Sequence, residues 1–432
     1  MITKKKQSGF WAALVIFSLV GQIAWVMENM YFNVFIYKMF GASAEAISSM
    51  VAASAVAATV TTLLIGALSD KIGKRKLFIC GGYILWGISI LSFALIRVDI
   101  ISKLFPMASA AAVGVSLTII LDCVMTFFGS SANDACFNAW LTDSTDETNR
   151  GAVEGINSMM PLLAILAVFG GFMGFDLGKQ ESWSAIFLII GSVVTLLGIA
   201  GFWLIKEPKL DTRGNEKYFR NLFYGFRPVI VKENPALYLA LAAYAVFGIA
   251  IQIYMPYLIL YYTVALGMDN YVLIFAPAII LAAAFTFVYG KQYDKKGFAK
   301  AVVAPLAMLM VGFVVLFFFR STVPVFLGSL VMMCGYLAGM AMFGAILRDK
   351  TPVGKAGMFQ GLRIVGQVLI PGVIGPAIGA AVLKGADVIV NDDGTTSFIP
   401  NRNIFLAAFI AAIFIWVVLI PLFKKLKKER IA

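Results

Sequence analysis

The sequence predicts an all-α polytopic membrane protein, with twelve transmembrane helices in two pseudo-symmetric six-helix bundles. The chain of 432 residues is 61% hydrophobic and 13% charged, with a mean hydropathy of +0.89, far more apolar than a soluble domain. Apolar runs of about 20 residues recur along it, each long enough to cross a hydrocarbon core as a helix. Two loop motifs also recur in the same order in both halves, as expected of a duplicated unit.

The apolar runs give the order of the elements, and a polar stretch divides them six and six. The predicted spans are 11–37, 44–68, 77–96, 106–132, 152–174, 184–205, 236–264, 271–290, 300–319, 324–346, 357–382 and 403–423. The predicted domains are an N-terminal bundle (1–205), a cytoplasmic linker (206–233) and a C-terminal bundle (234–432). Short alternating segments typical of a transmembrane β-barrel are absent from the sequence. The segment from Lys384 to Arg402 predicts a hairpin between the last two spans.

The distribution of positive charge predicts the topology. The net charge is +12, with 35 Lys and Arg residues, and most of them fall in the segments on one side of the predicted membrane. By the positive-inside rule both termini are cytoplasmic, in a multi-pass protein of the plasma (inner) membrane. This asymmetry accounts for the basic surplus, so we expect no nucleic-acid partner. The expected partners are the lipid bilayer and a small polar solute, and we expect a monomer.

The sequence excludes several kinds of chemistry. It contains no histidine and only four cysteines, which lie singly and at no metal-ligand spacing. Zinc sites and Ser-His-Asp catalysis are therefore excluded, and no nucleophile-base constellation indicates an enzyme. We expect no cofactor and no metal. Any proton chemistry must use carboxylates.

Two loop motifs are repeated between the halves. The sequence GALSDKIGKRK at 66–76 follows span 2, and GKQYDKKGFAK at 290–300 follows span 8. Both read G-x-x-x-D-K-x-G. A second pair, LTDST at 141–145 and LRDKT at 347–351, follows spans 4 and 10. Parallel repeats of this kind bind substrate between the two halves, near the middle of the bilayer.

The motif at 66–76 resembles the loop 2-3 signature of the major facilitator superfamily, G-x-L-[AS]-D-[RK]-x-G-[RK]-[RK], at every position. The segment from Asp143 to Arg150 is similar to the acidic-x6-Arg element of that superfamily, especially of its sugar porters. The resemblance implies a secondary transporter that works by alternating access. It also implies that the loop charges and turns gate the conformational change. The implied gating residues are Gly66, Asp70, Gly73, Arg75, Asp143, Arg150, Asp294 and Gly297.

The end of span 4 loosely resembles the glycoside-pentoside-hexuronide:cation symporters within the superfamily. NDACFNAWLTD at 133–143 carries the polar residues of that region. It departs from the pattern because Cys136 stands where a proline is usual. Span 2 also lacks the paired aspartates of the sodium-coupled members. A proton is therefore the expected coupling ion, with sodium as the second possibility.

Polar side chains in spans 1 and 4 are candidates for the site, since an ionisable group inside the membrane is costly and usually functional. Gln22, Trp25 and Asn29 share one face of span 1, with Glu28 at its edge. Asp122 lies near the middle of span 4, on a face with Thr118, Thr126, Gly129 and Asn133. We predict substrate contact for Gln22, Trp25, Asn29 and Asp122. Proton coupling is predicted for Glu28, Asp122 and Asp134.

The second half offers candidates in spans 7 and 11. Gln252, Tyr257, Tyr261, Arg363 and Gln367 are predicted to contact substrate, because aromatic rings stack on sugar C–H faces while amides and guanidinium groups pair with hydroxyls. Two alternatives stay open at this point. Arg363 is near enough to the inner boundary to reach the cytoplasm, and single aromatics often serve packing alone.

These observations predict proton-coupled uptake of a small polar solute, most simply a sugar or a glycoside. The alternative within the same fold is efflux of drugs or metabolites by proton antiport, which favours a more apolar cavity. A non-transporting membrane sensor or scaffold is disfavoured, because the sequence shows no soluble domain to carry a signal.

Overall fold

The computed structural model describes residues 4–145, 150–207, 223–352, 359–390 and 396–431. In these ranges, eleven helices are long and apolar enough to cross a membrane, and another contains the apolar stretch Met159–Phe172. We number them α1 (Gly9–Phe40), α2 (Ala44–Ser69), α3 (Arg75–Leu95), α4 (Ala110–Asp143), α5 (Arg150–Phe172), α6 (Gln180–Leu204), α7 (Pro235–Ala265), α8 (Tyr271–Lys296), α9 (Phe298–Phe318), α10 (Thr322–Lys350), α11 (Gly361–Leu383) and α12 (Asn403–Glu429). The predicted fold class is confirmed, with each predicted span on one of these helices.

The ends of several helices follow from their local sequence. Ser43 caps α2, accepting a hydrogen bond from the backbone N–H of Ala46 at 3.2 Å, as is usual at a helix N-terminus. The helix that contains α2 continues to Ile72, and Gly73 follows it with φ 70°. Gly297 follows α8 with φ 71°. Both are the last glycines of the repeated G-x-x-x-D-K-x-G motif. Glycine adopts positive φ without steric cost, so the repeat places a glycine at the end of both helices, but ψ is 21° at Gly73 and 167° at Gly297, and the chain leaves the two helices differently.

Two compact units divide the chain, Met1–Ala46 with Ala53–Tyr218 and Ile47–Ala52 with Phe219–Ala432. We call them the N-terminal and C-terminal units. In the N-terminal unit α1 packs on α5 and α6, and α3 packs on α4 and α6. In the C-terminal unit α7 packs on α11 and α12, and α9 packs on α10 and α12. Helices α1 and α3 thus have the same partners as α7 and α9, the helices six places along.

Glycine allows the closest of these helix contacts. A Cβ atom on Gly87 would lie 2.4 Å from the backbone nitrogen of Thr195, where α3 meets α6. A Cβ atom on Gly335 would lie 2.3 Å from the backbone nitrogen of Leu309, where α10 meets α9. Small residues at such crossings let helix backbones approach, which is how helices in lipid gain packing energy.

Two short strands lie between α11 and α12. Strand β1 (Val388–Val390) pairs antiparallel with β2 (Thr396–Phe398), with Val388 opposite Phe398. The pairing agrees with the predicted hairpin. Its turn, at 391–395, lies outside the described residues.

Candidate functional site

The Glu28 carboxylate lies inside the N-terminal unit and joins three helices. Its side chain is buried on α1, with the residue 7% exposed. The Oε1 atom accepts hydrogen bonds from Ser54 Oγ on α2 and from Thr126 Oγ1 on α4, the latter at 2.9 Å. The two hydroxyl oxygens are themselves 3.0 Å apart. Three oxygens therefore form a closed triangle of contacts, which we call the Glu28 triangle.

Two further carboxylates, both on α4, lie in the same unit. Asp122 is 1% exposed, stands one helical turn before Thr126 and interacts electrostatically with Glu28. Its Oδ1 atom has no hydrogen-bond partner among the described residues. Asp134 is half-buried and accepts a hydrogen bond from Ser130 Oγ at 3.0 Å. The predicted coupling residues Glu28 and Asp122 are therefore brought together.

These three carboxylates lack a positively charged partner among the described residues. Within the described ranges, no Lys or Arg side chain forms an ion pair with Glu28, Asp122 or Asp134. The unpaired Oε2 atom of Glu28 is also buried. An ionised carboxylate buried without a counter-ion or full hydrogen bonding is strongly unfavourable. The geometry therefore suits carboxylates that are neutralised by a bound proton or cation.

The predicted substrate face of α1 is only partly open. Gln22 and Trp25 are half-buried and Asn29 is exposed. The Trp25 ring packs against Trp86, with centroids 5.0 Å apart, and Gly129 leaves room for both rings. The Trp25 indole lies near the Asp134 carboxylate, but its N–H makes no hydrogen bond of good geometry. Asn29 Nδ2 donates to the Trp25 carbonyl at 2.8 Å, and substrate contact by Asn29 stays a prediction.

The predicted residues of the C-terminal unit fall into two groups. Gln252, Arg363 and Gln367 are half-buried, and Arg363 interacts electrostatically with Tyr244. Tyr257 and Tyr261 are fully buried and donate hydrogen bonds to the carbonyls of Pro376 at 3.3 Å and Leu316 at 3.4 Å. These bonds hold α7 to α11 and α9, which is a packing role. Substrate contact by the two tyrosines stays a prediction.

Each π-helical turn of the described helices contains at least one predicted site residue. There are four such turns, Met27–Tyr31, Ser130–Phe137, Tyr261–Ala265 and Val365–Leu369. They contain Glu28 and Asn29, Asp134, Tyr261, and Gln367, in that order. A π turn widens the helix and breaks its regular hydrogen bonding, and it occurs often at functional sites.

The predicted gating residues are placed at helix ends. Arg75 Nε donates to Asp143 Oδ2 at 3.0 Å, and Arg75 Nη1 donates to Ser69 Oγ at 2.6 Å. Ser69 Oγ in turn donates to the Gly66 carbonyl at 3.0 Å. These contacts tie the loop after α2 to the end of α4 within one unit. In the other unit Asp294 is exposed beside Gly297, and Tyr293 donates to Asp349. The side chains of Asp70 and Arg150 lie outside the described residues.

Ser54 is the site residue that sequence reasoning missed. It lies in a run of small residues on α2, where a lone serine is unremarkable because its hydroxyl can bond to its own helix. Thr126 lies on the predicted polar face of span 4, but the sequence alone gives it no role. Both residues could have been found by comparing depths in the membrane. A carboxylate on one predicted span lies at a similar depth to hydroxyl side chains on two other spans.

Twelve helices in two repeated units, with buried carboxylates among them, define a polytopic transporter. The chain belongs to the Major Facilitator Superfamily, whose family model matches residues 10–376. It is accordingly a transporter and not an enzyme.

Several solved structures share this fold. A mutant of the nucleoside transporter NupG aligns with a TM-score of 0.71 at 11% identity, covering 95% of this chain and 99% of that chain. An occupied, inward-facing bacterial homologue of the human lysosomal transporter Spinster gives 0.68 at 17%, covering 96% and 97%. A D-xylose-proton symporter gives 0.67 at 13%, covering 94% and 97%. At such identities the likeness concerns the fold. No curated protein sequence matches the chain significantly.

Proposed function

We propose that this transporter couples the entry of protons to the uptake of a small polar solute, a sugar or a glycoside, by alternating access. The proton would be carried by Glu28, with Asp122 as its electrostatic partner. The solute-binding groups would be the amides and indole of α1 in the N-terminal unit and, in the C-terminal unit, the amides and aromatic rings of α7 and α11.

The Glu28 triangle is the observation that carries the proton proposal. It has three oxygen-oxygen contacts, between Glu28, Ser54 and Thr126. The two hydroxyls supply only two protons, since each serine or threonine has one O–H. With Glu28 ionised, one of the three contacts lacks a proton. A proton on Glu28 completes a ring in which each group donates once and accepts once.

The surroundings of the triangle support the same proposal. Glu28 and Asp122 are both buried and interact with each other, and two adjacent carboxylates cannot both ionise cheaply. One proton shared within this pair lowers the cost of burial. Opening the site to water on one side would let that proton leave, because hydration stabilises the ionised form. Access and proton occupancy are thereby linked.

The polar groups near the open surface of each unit support a polyol as the solute. The half-buried or exposed set includes Gln22, Asn29, Gln252, Arg363 and Gln367, which provide donors and acceptors for hydroxyl groups. Within the N-terminal unit, Trp25 offers an indole face on the same helix as Gln22 and Asn29. The D-xylose-proton symporter among the similar structures pairs a sugar with a proton on this same fold, which makes that combination a reasonable one here.

Reconstituted protein tests the proposal directly. Proteoliposomes with an acidic exterior should accumulate a radiolabelled sugar above its external concentration, and a protonophore should abolish the accumulation. A sodium gradient at equal pH serves as the control and should give none. Accumulation driven by sodium alone would overturn proton coupling. Extrusion of cationic dyes without uptake of any saccharide would overturn the import of a sugar.

A further inference from the structure

A basic cavity at one end of the C-terminal unit is lined by none of the predicted substrate or coupling residues, although the predicted gating residues Asp294 and Gly297 line it. It has a volume of about 760 Å³ and is formed by the last turn of α8, the first turn of α9, and the last turns of α10 and α12. By the positive-inside rule this end of the helices is cytoplasmic. Its charged lining includes Lys296, Lys300 and Lys427, which we call the lysine triad.

The acidic groups of the cavity are largely engaged with other partners. Glu429 accepts a hydrogen bond from Lys350 in an ion pair at 2.7 Å. Asp349 accepts a hydrogen bond from the hydroxyl of Tyr293. Asp294 is the remaining carboxylate of the lining. In the described part of the chain no ion pair engages the lysine triad. The lining has four lysines against three carboxylates, so the cavity keeps one net positive charge.

The floor of the cavity is apolar. Phe298 and Ile346 are buried there, and the rings of Phe298 and Phe423 meet edge to face with centroids 6.4 Å apart. On α12, the exposed apolar residues Val417 and Ile420, at 60% and 54%, precede Lys427 on one helical face. An apolar surface suited to acyl chains therefore lies on α12 before the basic cavity, with the exposed Lys424 between the two.

We propose that the lysine triad binds the phosphate of an anionic phospholipid from the adjoining leaflet. Three ammonium groups around one cavity match the negative charge of a phosphate, and basic pockets between membrane helices commonly bind lipid head groups. The apolar face of α12 favours a phospholipid over free phosphate, because it provides a place for the acyl chains. The bound head group would hold the ends of α8, α9, α10 and α12 together.

Lipid titration of the purified full-length protein, followed by native mass spectrometry, tests this site. Phosphatidylglycerol should bind more tightly than phosphatidylcholine by at least about tenfold, since each lysine near an anionic head group contributes about 1 kcal/mol. The variant K296Q/K300Q/K427Q should lose that preference. The variant K296R/K300R/K427R should keep it, which separates loss of charge from loss of folding.

The matched control changes three lysines that lie near the cavity but do not line it. K291Q/K295Q/K428Q removes the same charge from α8 and α12, and all three residues are exposed. This variant should retain the preference for phosphatidylglycerol. Equal losses in the two glutamine variants would show a diffuse attraction to the membrane surface and overturn the site. Displacement of the lipid by millimolar inorganic phosphate would also overturn it, in favour of a free anion.

Discussion

Thr126 on α4 donates a hydrogen bond to Glu28 on α1, with 2.9 Å between Oγ1 and Oε1. The same carboxylate oxygen accepts from Ser54 on α2. One buried acidic group thus holds three helices of the N-terminal unit. Any change in its charge alters contacts on all three at once, which is the physical basis for linking proton occupancy to helix movement.

Removing the Thr126 hydroxyl should weaken both stability and coupling. Thr126→Val keeps the side-chain shape but leaves Glu28 with one donor fewer, at a cost of about 1–3 kcal/mol for a buried unsatisfied group. We expect a lower thermal unfolding temperature and reduced sugar accumulation under a pH gradient. Both are measured on purified protein, by a thermal shift assay and by proteoliposome uptake.

Thr118→Val is the matched control for that variant. Thr118 is equally buried on α4, but its hydroxyl donates to the Gly114 carbonyl of its own helix at 2.8 Å. Such a local bond contributes little to stability, so this variant should behave as the parent protein. Equal losses from both substitutions would mean that the bond to Glu28 has no special part in coupling.

Replacing Glu28 with glutamine should separate binding from coupling. Glu28→Gln retains an oxygen that accepts from Ser54 and Thr126 but cannot release a proton. A gradient of one pH unit can drive about tenfold accumulation at one proton per solute, and we expect this variant to give none. Exchange of labelled for unlabelled sugar across the membrane, which needs no net proton movement, should persist.

The exposed Glu181 provides the comparison for this experiment, and Glu181→Gln should accumulate sugar normally. Asp122→Asn and Asp134→Asn complete the series. If either of these abolishes accumulation while Glu28→Gln does not, the proton belongs to that aspartate.

The helices could be predicted from the sequence, because hydrophobic length alone determines what crosses a bilayer. The boundaries agree closely in most cases, but α4 continues to Asp143 instead of ending at 132. The polar residues from Ser130 to Asp134 ended the apolar run in the sequence. In the structure they form a π turn, which keeps the helix going while the unit buries most of their side chains.

The site could be predicted less completely, because its contacts depend on how each helix is rotated about its axis relative to its neighbours. A regular spacing of 3.6 residues placed Asp122 and Thr126 on one face, and both are buried. It gave no sign of the π turn at Met27–Tyr31, which changes the direction of the side chains that follow. The spacing also could not show that Ser54 faces Glu28, because the sequence of one helix does not determine the rotation of the neighbouring helix.

The contact between Arg75 and Asp143 should be sensitive to side-chain shape. Arg75 bonds Asp143 through Nε and Ser69 through Nη1, and a lysine has no second nitrogen for such a pair of contacts. Arg75→Lys should therefore lower the thermal unfolding temperature and the initial uptake rate, with about 1.5–3 kcal/mol lost for a bond to a charged group. Unfolding and uptake are measured in parallel.

Arg97→Lys tests whether the effect is specific to that position. Arg97 donates to Asp99 at 2.9 Å and lowers the pKa of that carboxyl, chiefly through the hydrogen bond. Both side chains are substantially exposed, so solvent screens the pair. The variant should unfold and transport as the parent does. If Arg75→Lys also leaves unfolding and uptake unchanged, the contact between Arg75 and Asp143 is not needed for stability or for transport.

The contact between α9 and α10 depends on the absence of a side chain at Gly335. A Cβ atom there would lie 2.3 Å from the backbone nitrogen of Leu309 and 2.6 Å from the carbonyl oxygen of Pro305. Backbone atoms cannot turn aside as a flexible side chain can, so Gly335→Ala must push the helices apart. We expect a loss of about 1–3 kcal/mol, as for other overpacked sites.

Gly344→Ala on the same helix should have the opposite outcome. No atom lies within 4 Å of a Cβ built at Gly344, and alanine is favoured over glycine inside a helix by about 1 kcal/mol. Thermal unfolding of the two variants in the same detergent should therefore bracket the parent protein, with Gly335→Ala below it and Gly344→Ala at or above it. If both alanine variants have a raised unfolding temperature, the helix propensity of alanine outweighs any clash between α9 and α10. The prediction that Gly335 is needed for their close packing would then be wrong.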